Sequence, residues 1–310
     1  MIYFDDIDIS IQPKGADNPT GVLAQSCNLS IQNSSREIYS LGRVGPSAIS
    51  PDGPATATLN INYILESENE PCFEIVRLLK NHNRKIVYGT SGTSGTAGTS
   101  GFSGPDKSKK TRIVFAGITG DYYLKGYTIQ ASPNSILTAS ATFDCFDLVS
   151  GKSSHRFRKK GETPSLSFNE SKSITHGWTT YLVESGNHPK KNPTLNFNYS
   201  FEASHVPQYT IGRQVPSRVD FMAGKEKIDL VKLDFYNAHV SGVTGELTNV
   251  ANSGTFSGNS FFAPYLLSCR NDKPDQSLEI NLSGARITNT DISVGINDFP
   301  KTRVVAQKYF

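Results

Sequence analysis

The chain is short of the residues that build a dense core: hydrophobic side chains make up 36% of its 310 residues. No apolar run approaches the roughly 18 residues that a membrane-spanning helix needs, so no membrane span is expected. The first ten residues, Met1 to Ser10, carry acidic side chains and no apolar signal core, which argues against a secretory leader. The net charge is only +3, too slight by itself to mark a nucleic-acid-binding protein. The four cysteines, Cys27, Cys72, Cys145 and Cys269, are far apart and form no CxxC pair. They read as small buried apolar residues, because none of the six histidines stands at ligand spacing from them. Sustained 3.6-residue periodicity is missing too, which excludes a helical bundle.

Signatures of chemistry are equally sparse. The sequence contains no GxSxG elbow, no HExxH helix and no GxxxxGK[ST] phosphate loop. The histidines (His82, His155, His176, His188, His205, His239) are scattered among polar and turn residues. Asp5, Asp6 and Asp8 gather at the start of a stretch in which Ile7, Ile9 and Ile11 alternate with polar residues. They read as a solvent-facing strand edge, since a calcium loop needs more oxygen ligands ending in a bidentate carboxylate. No set of residues fills the roles of a catalytic site, and no enzyme activity, metal or cofactor is expected.

Glycine, serine, threonine and asparagine are abundant instead. That balance suits short strands, many turns, and sheets with one polar face. The most informative feature is an internal repeat. Tyr39-Ser-Leu-Gly-Arg-Val-Gly-Pro-Ser47 returns as Tyr209-Thr-Ile-Gly-Arg-Gln-Val-Pro-Ser217, 170 residues later. Gly42, Arg43 and Pro46 therefore match Gly212, Arg213 and Pro216. Before the first copy Cys27, Leu29 and Ile31 alternate with polar residues, as Phe197, Tyr199 and Phe201 do before the second; both stretches read as half-buried strands. After each copy another strand is expected, over residues 56–65 and 227–235. A weaker match, Leu124-Lys-Gly-Tyr-Thr-Ile129 with Leu282-Ser-Gly-Ala-Arg-Ile287, has its offset reduced to 158. The closing strands are then expected over 136–146 and 292–299.

The expected layout is thus two related β-domains, residues 1–150 and 160–310, joined by a basic linker at 151–159. The halves differ in their inserts. Pro71 to Lys80 is the clearest helix, with Pro71 suited to a first helical position and Phe73, Ile75, Val76 and Leu79 forming an apolar stripe. Gly89, Gly92, Gly95, Gly98, Gly101 and Gly104 recur at every third residue, which reads as a flexible loop leading to a strand at 111–117. The adjoining Lys107, Lys109, Lys110 and Arg112 read as its solvated flank, with DNA or an acidic neighbouring subunit as alternative contacts. In the repeated turn, Gly allows a backbone conformation closed to other residues and Pro fixes the exit. Arg43 and Arg213 suit either a local bond to a turn carbonyl or a bidentate ion pair with a second subunit.

An alternating strand running into a Tyr-x-Leu-Gly-Arg-like turn, with Pro nearby and a second long strand after it, resembles phage tail tube proteins. The run from Leu124 to Phe146 is similar to the later strand pair of that family. The resemblance implies two tandem β-sandwich/barrel-like tail tube domains, each with few helices. It implies a structural virion protein of the tail, assembled in the host cytoplasm. Its subunits would close into rings whose inner wall is a continuous barrel, and the rings would stack into a conduit for the genome. With two domains per chain, the implied ring is a homotrimer of pseudo-sixfold symmetry. Other tail or baseplate proteins would be partners, and DNA would make transient contact in the lumen. Baseplate hub or distal tail proteins with duplicated tube domains are the alternative. A glycan-binding tail module, using aromatics such as Trp178, Tyr181, Phe261, Phe262 and Tyr265, is a third.

Overall fold

The computed structural model describes residues 9–65, 70–83, 110–115, 118–132, 136–146, 150–151, 179–184, 192–211, 213, 215–233, 262–263, 265–270, 277–281, 285–293 and 301–310. Among them the chain is mostly β, with one helix. The first half supplies β1 (Ile9–Gln12), β2 (Thr20–Gly21), β3 (Ala24–Gln32), β4 (Ser35–Ile38), β5 (Ala48–Pro51) and β6 (Thr56–Ile64). Helix α1 (Pro71–Asn83) follows, then β7 (Thr111–Phe115), β8 (Ile118–Ala131), β9 (Thr138–Cys145) and β10 (Ser150–Gly151). The second half supplies β11 (Thr179–Glu184), β12 (Asn192–Gln208), β13 (Arg218–Leu233), β14 (Phe262–Ala263), β15 (Tyr265–Arg270), β16 (Ser277–Asn281), β17 (Ala285–Ser293) and β18 (Lys301–Tyr309).

Alternation of residue type becomes alternation of burial. In β6, Ala57, Leu59, Ile61 and Tyr63 are buried, while Thr58, Asn60 and Asn62 are not. Strand β9 repeats this with Ala139, Ala141, Phe143 and Cys145. Each fully buried large apolar side chain stabilises the fold by about 1.5–3 kcal/mol, so one face of the sheet must be covered. Helix α1 supplies part of that cover. Pro71 opens it, and the Cys72 amide donates to the Glu70 carboxylate at 3.2 Å, so Glu70 caps the first turn. Cys72, Ile75, Val76 and Leu79 are buried on its inner side, and Phe73 packs edge-on against Tyr127 with ring centroids 5.4 Å apart.

The repeat seen in the sequence returns as a repeat of strand pairing. At the base of the first turn Ile38 pairs with Ala48; at the base of the second, Gln208 pairs with Arg218, each residue 170 further on. Lower down, Leu29 pairs with Leu59 and Tyr199 with Ile228. Leu59 then pairs with Phe143, and Ile228 with Ala306. Phe143 in turn faces Leu124, and Ala306 faces Ile287. The register slips by one residue between Leu124 and Gly126, and again between Ile287 and Asn289. The order β3-β6-β9-β8 is therefore matched by β12-β13-β18-β17, with a bulge at the same place in each.

This pairing corrects two expectations. Leu124 corresponds to Ile287 and Gly126 to Asn289, an offset of 163, not to Leu282 and Gly284 at 158. The strand in the closing position of the second half is Lys301–Tyr309; of the expected 292–299, Ile292 and Ser293 end the strand before it, and 294–299 lie outside the described residues. Two boundaries also move: the strand expected from 227 begins at Arg218, and Gly151, expected to open the linker, is still paired with Ile118. The remainder of that linker, the glycine run, Asp5, Asp6, Asp8, Lys107 and Lys109 lie outside the described residues.

The two halves are not separate sheets. The outer edge of β8 pairs with β12, from Ala131 opposite Phe197 to Gly126 opposite Glu202. A continuous antiparallel path β3-β6-β9-β8-β12-β13-β18-β17 results. Leu59, Tyr127 and Phe143 from one half share a single buried cluster with Tyr199, Ile228 and Ala306 from the other.

Candidate functional site

Three surfaces of this sheet could carry function: the junction between the halves, the polar face, and the two repeated turns. At the junction, α1 lies over the seam. Tyr127 of β8 and Tyr199 of β12 are both fully buried, with ring centroids 6.2 Å apart, and Phe73 of α1 sits 5.4 Å from the first and 6.0 Å from the second. The Tyr199 hydroxyl donates to Glu226 at 2.6 Å, and Lys80 at the end of α1 forms an ion pair with the same carboxylate. Glu226 is fully buried, at a core position of β13 between Gly224 and Ile228. At the other end of α1, Tyr63 donates to Glu70. Burial pushes the Glu70 carboxyl up to about 7, against the pull of its bonds from Tyr63 and Cys72. Neither of the two buried carboxylates, Glu70 and Glu226, was singled out in the sequence. The available signal was parity: Glu226 interrupts a run of core positions in an alternating strand.

The opposite face is polar and cross-linked strand to strand. Asn62 donates to Ser26 at 2.8 Å, Thr142 to Asn60 at 2.9 Å, and Thr58 to Asp144 at 3.2 Å. Lys125 lies 3.2 Å from Asp144. In the second half Arg303 holds Asp229 with two bonds of 2.9 and 2.6 Å, which keeps that carboxyl below its usual range. Hydroxyl and amide side chains, together with paired charges, thus cover much of this face.

The repeated turns project from the sheet. Ser47 donates its amide to Ile38 at 2.7 Å, and Ser217 to Gln208 at 2.8 Å; Arg43 donates to Ser40 at 3.3 Å, and Arg213 to Thr210 at 3.1 Å. Gly42 and Gly45 have φ of +87° and +108°, which only glycine adopts freely. Pro46 is exposed and Pro216 half-buried; Gly212 lies outside the described residues. The arginine amides close the turns, while both side chains are exposed and form no ion pair among the described residues. Beside them, the equivalent residues Leu41 and Ile211 are each 107% exposed.

No protein-family model matches the chain, and no curated protein matches it in sequence. The other sequence candidates fall as follows. Cys72 and Cys145 are buried and in no disulfide, Cys27 is half-buried with its thiol pushed up to about 12, and the side chain of Cys269 is outside the described residues. Lys110 lies 3.5 Å from Asp121, and Arg112 is exposed. Trp178, Phe261 and the side chains of Tyr181, Phe262 and Tyr265 are also outside the described residues. No helix among those residues is long and apolar enough to cross a membrane.

Proposed function

We propose that this chain is a structural protein of a phage tail, which assembles with copies of itself into rings that stack as the tail tube. The observation that carries this reading is the fusion of two equivalent four-stranded units edge to edge through β8 and β12. A unit whose edge accepts the next unit is a module for self-association, and closure removes exposed edges. Two units per chain make a ring of six units a homotrimer.

The polar face suits the wall of a conduit. Protein affinity for DNA comes largely from cations that neutralise phosphates. Here Lys125 is engaged by Asp144 and Arg303 by Asp229, and hydroxyls and amides lie around them. Such a wall is wetted without gripping a passing polyanion.

Electron microscopy of the purified full-length chain tests the reading. Rings of three chains, or tubes built from them, are expected as concentration rises. A chain that stays monomeric at every concentration, or rings containing six copies, would refute it. Copy number in the virion separates an abundant tube protein from a scarce hub.

A further inference from the structure

The two incoming strands of the repeat differ in one respect. In β12, Phe197, Tyr199 and Phe201 are buried, at 3%, 0% and 0% exposure. Their equivalents in β3 are not: Cys27 and Leu29 are half-buried, and Ile31 is 55% exposed. The position in the sheet explains the contrast. Strand β12 is paired on both sides, by β13 and β8. Among the described residues β3 is paired only by β6. At the far end of the path, β17 is paired by β18 along its length and by β14 only at Ala285 and Arg286, so the outer edge from Ile287 to Ser293 is open among the described residues. Strand β8 is arranged likewise: β7 takes its first residues and leaves the later ones for β12.

We propose that the outer edge of β17 pairs antiparallel with the outer edge of β3 in a second copy of this chain, in the register already realised inside the chain between β8 and β12. The proposal rests on the ring reading and fixes its contact. Carrying Ser200 opposite Thr128 across by the two offsets puts Ser30 opposite Asp291. The same operation puts Leu29 opposite Ile292, Ile31 opposite Thr290, Gln32 opposite Asn289, and Asn28 opposite Ser293.

The two offsets were obtained from different strand pairs, yet the faces agree. Asn28, Ser30 and Gln32 are exposed, as are Asn289, Asp291 and Ser293. A slip of one residue would set Asp291 against Leu29 or Ile31 on the apolar side, so the register is selected by parity. The partner is a second copy because the chain already contains the complement of each edge. Pairing would also cover Leu29 and Ile31, as β8 covers Tyr199 and Phe201.

Paired cysteines test the register. The full-length chain carrying Ser30→Cys and Asp291→Cys, mildly oxidised, is expected to shift to covalent trimers on a denaturing gel. Neither single variant should do so, and Ser30→Cys with Thr290→Cys should cross-link far less. Hydrogen exchange on the unmodified chain provides a second readout that needs no variant: residues 28–32 and 289–293 should gain protection on assembly. Rings seen by microscopy without that protection, or with cross-linking in another register, would overturn the proposed contact and leave the ring reading standing. Absence of any oligomer would overturn both.

Discussion

Glu70 makes the stability of this fold depend on pH in a direction opposite to that of most carboxylates. It is buried at the start of α1, and burial raises its pKa from 4.5 to about 7. Tyr63, Cys72 and Tyr127, which face it, are themselves pushed upward by burial, so they stay neutral near neutrality. The folded chain therefore holds a proton on Glu70 that the unfolded chain has released between pH 4.5 and about 7. Stability attributable to this group is highest below pH 4.5 and is lost as pH rises through about 7. The size of the loss follows from the gap between the two values, at about 1.4 kcal/mol for each tenfold change, and comes to about 3 kcal/mol. Urea denaturation of the chain and of Glu70→Gln, at intervals from pH 4.5 to 8, isolates the effect. The stability of the natural chain relative to the variant should fall by about 3 kcal/mol across that range. A difference that stays flat within about 0.5 kcal/mol, or one that grows with pH, would refute the assignment of Glu70 as a carboxyl kept neutral by burial.

Two further predictions concern the seam and the turns. Lys80→Met strips Glu226 of its ion pair and should cost about 3 kcal/mol, while Lys80→Met with Glu226→Gln should recover most of it; a coupling below about 0.5 kcal/mol in the double-mutant cycle would show the pair to be idle. Arg43→Glu and Arg213→Glu should leave chain stability within about 0.5 kcal/mol, because both side chains are exposed, yet impair assembly measured by sedimentation. Normal assembly of both variants would remove the arginines from any contact between subunits.

Much of the first half was legible in the sequence because its signals are local. Pro71 and the stripe Phe73, Ile75, Val76, Leu79 gave α1, which runs three residues past Lys80 to Asn83. The alternation of β6 and β9 is nearly perfect, so their faces could be read directly. The second half misled where type and geometry part company. Leu282 and Gly284 resemble Leu124 and Gly126, but the bulge falls at Ile287 and Asn289, so matching residue types chose the wrong frame. The final strand was passed over because Val304, Val305 and Ala306 are flanked by polar residues that dilute the period. The seam between β8 and β12 was out of reach altogether. It is set by tertiary register, and the exposure of Ile31 that betrays the open edge has no counterpart in residue type.

The paired bulges carry a consequence for shape. A bulge bends its strand and adds twist. One half places glycine at the site and the other asparagine, yet the backbone departs from regular pairing at the same step. What has been kept between the halves is therefore a curvature, with the side chains free to drift around it. Each half carries its bend at the equivalent step of the equivalent strand. A sheet extended by further units of this kind would curl again at each repeat, which is the geometry that closure of a ring would need.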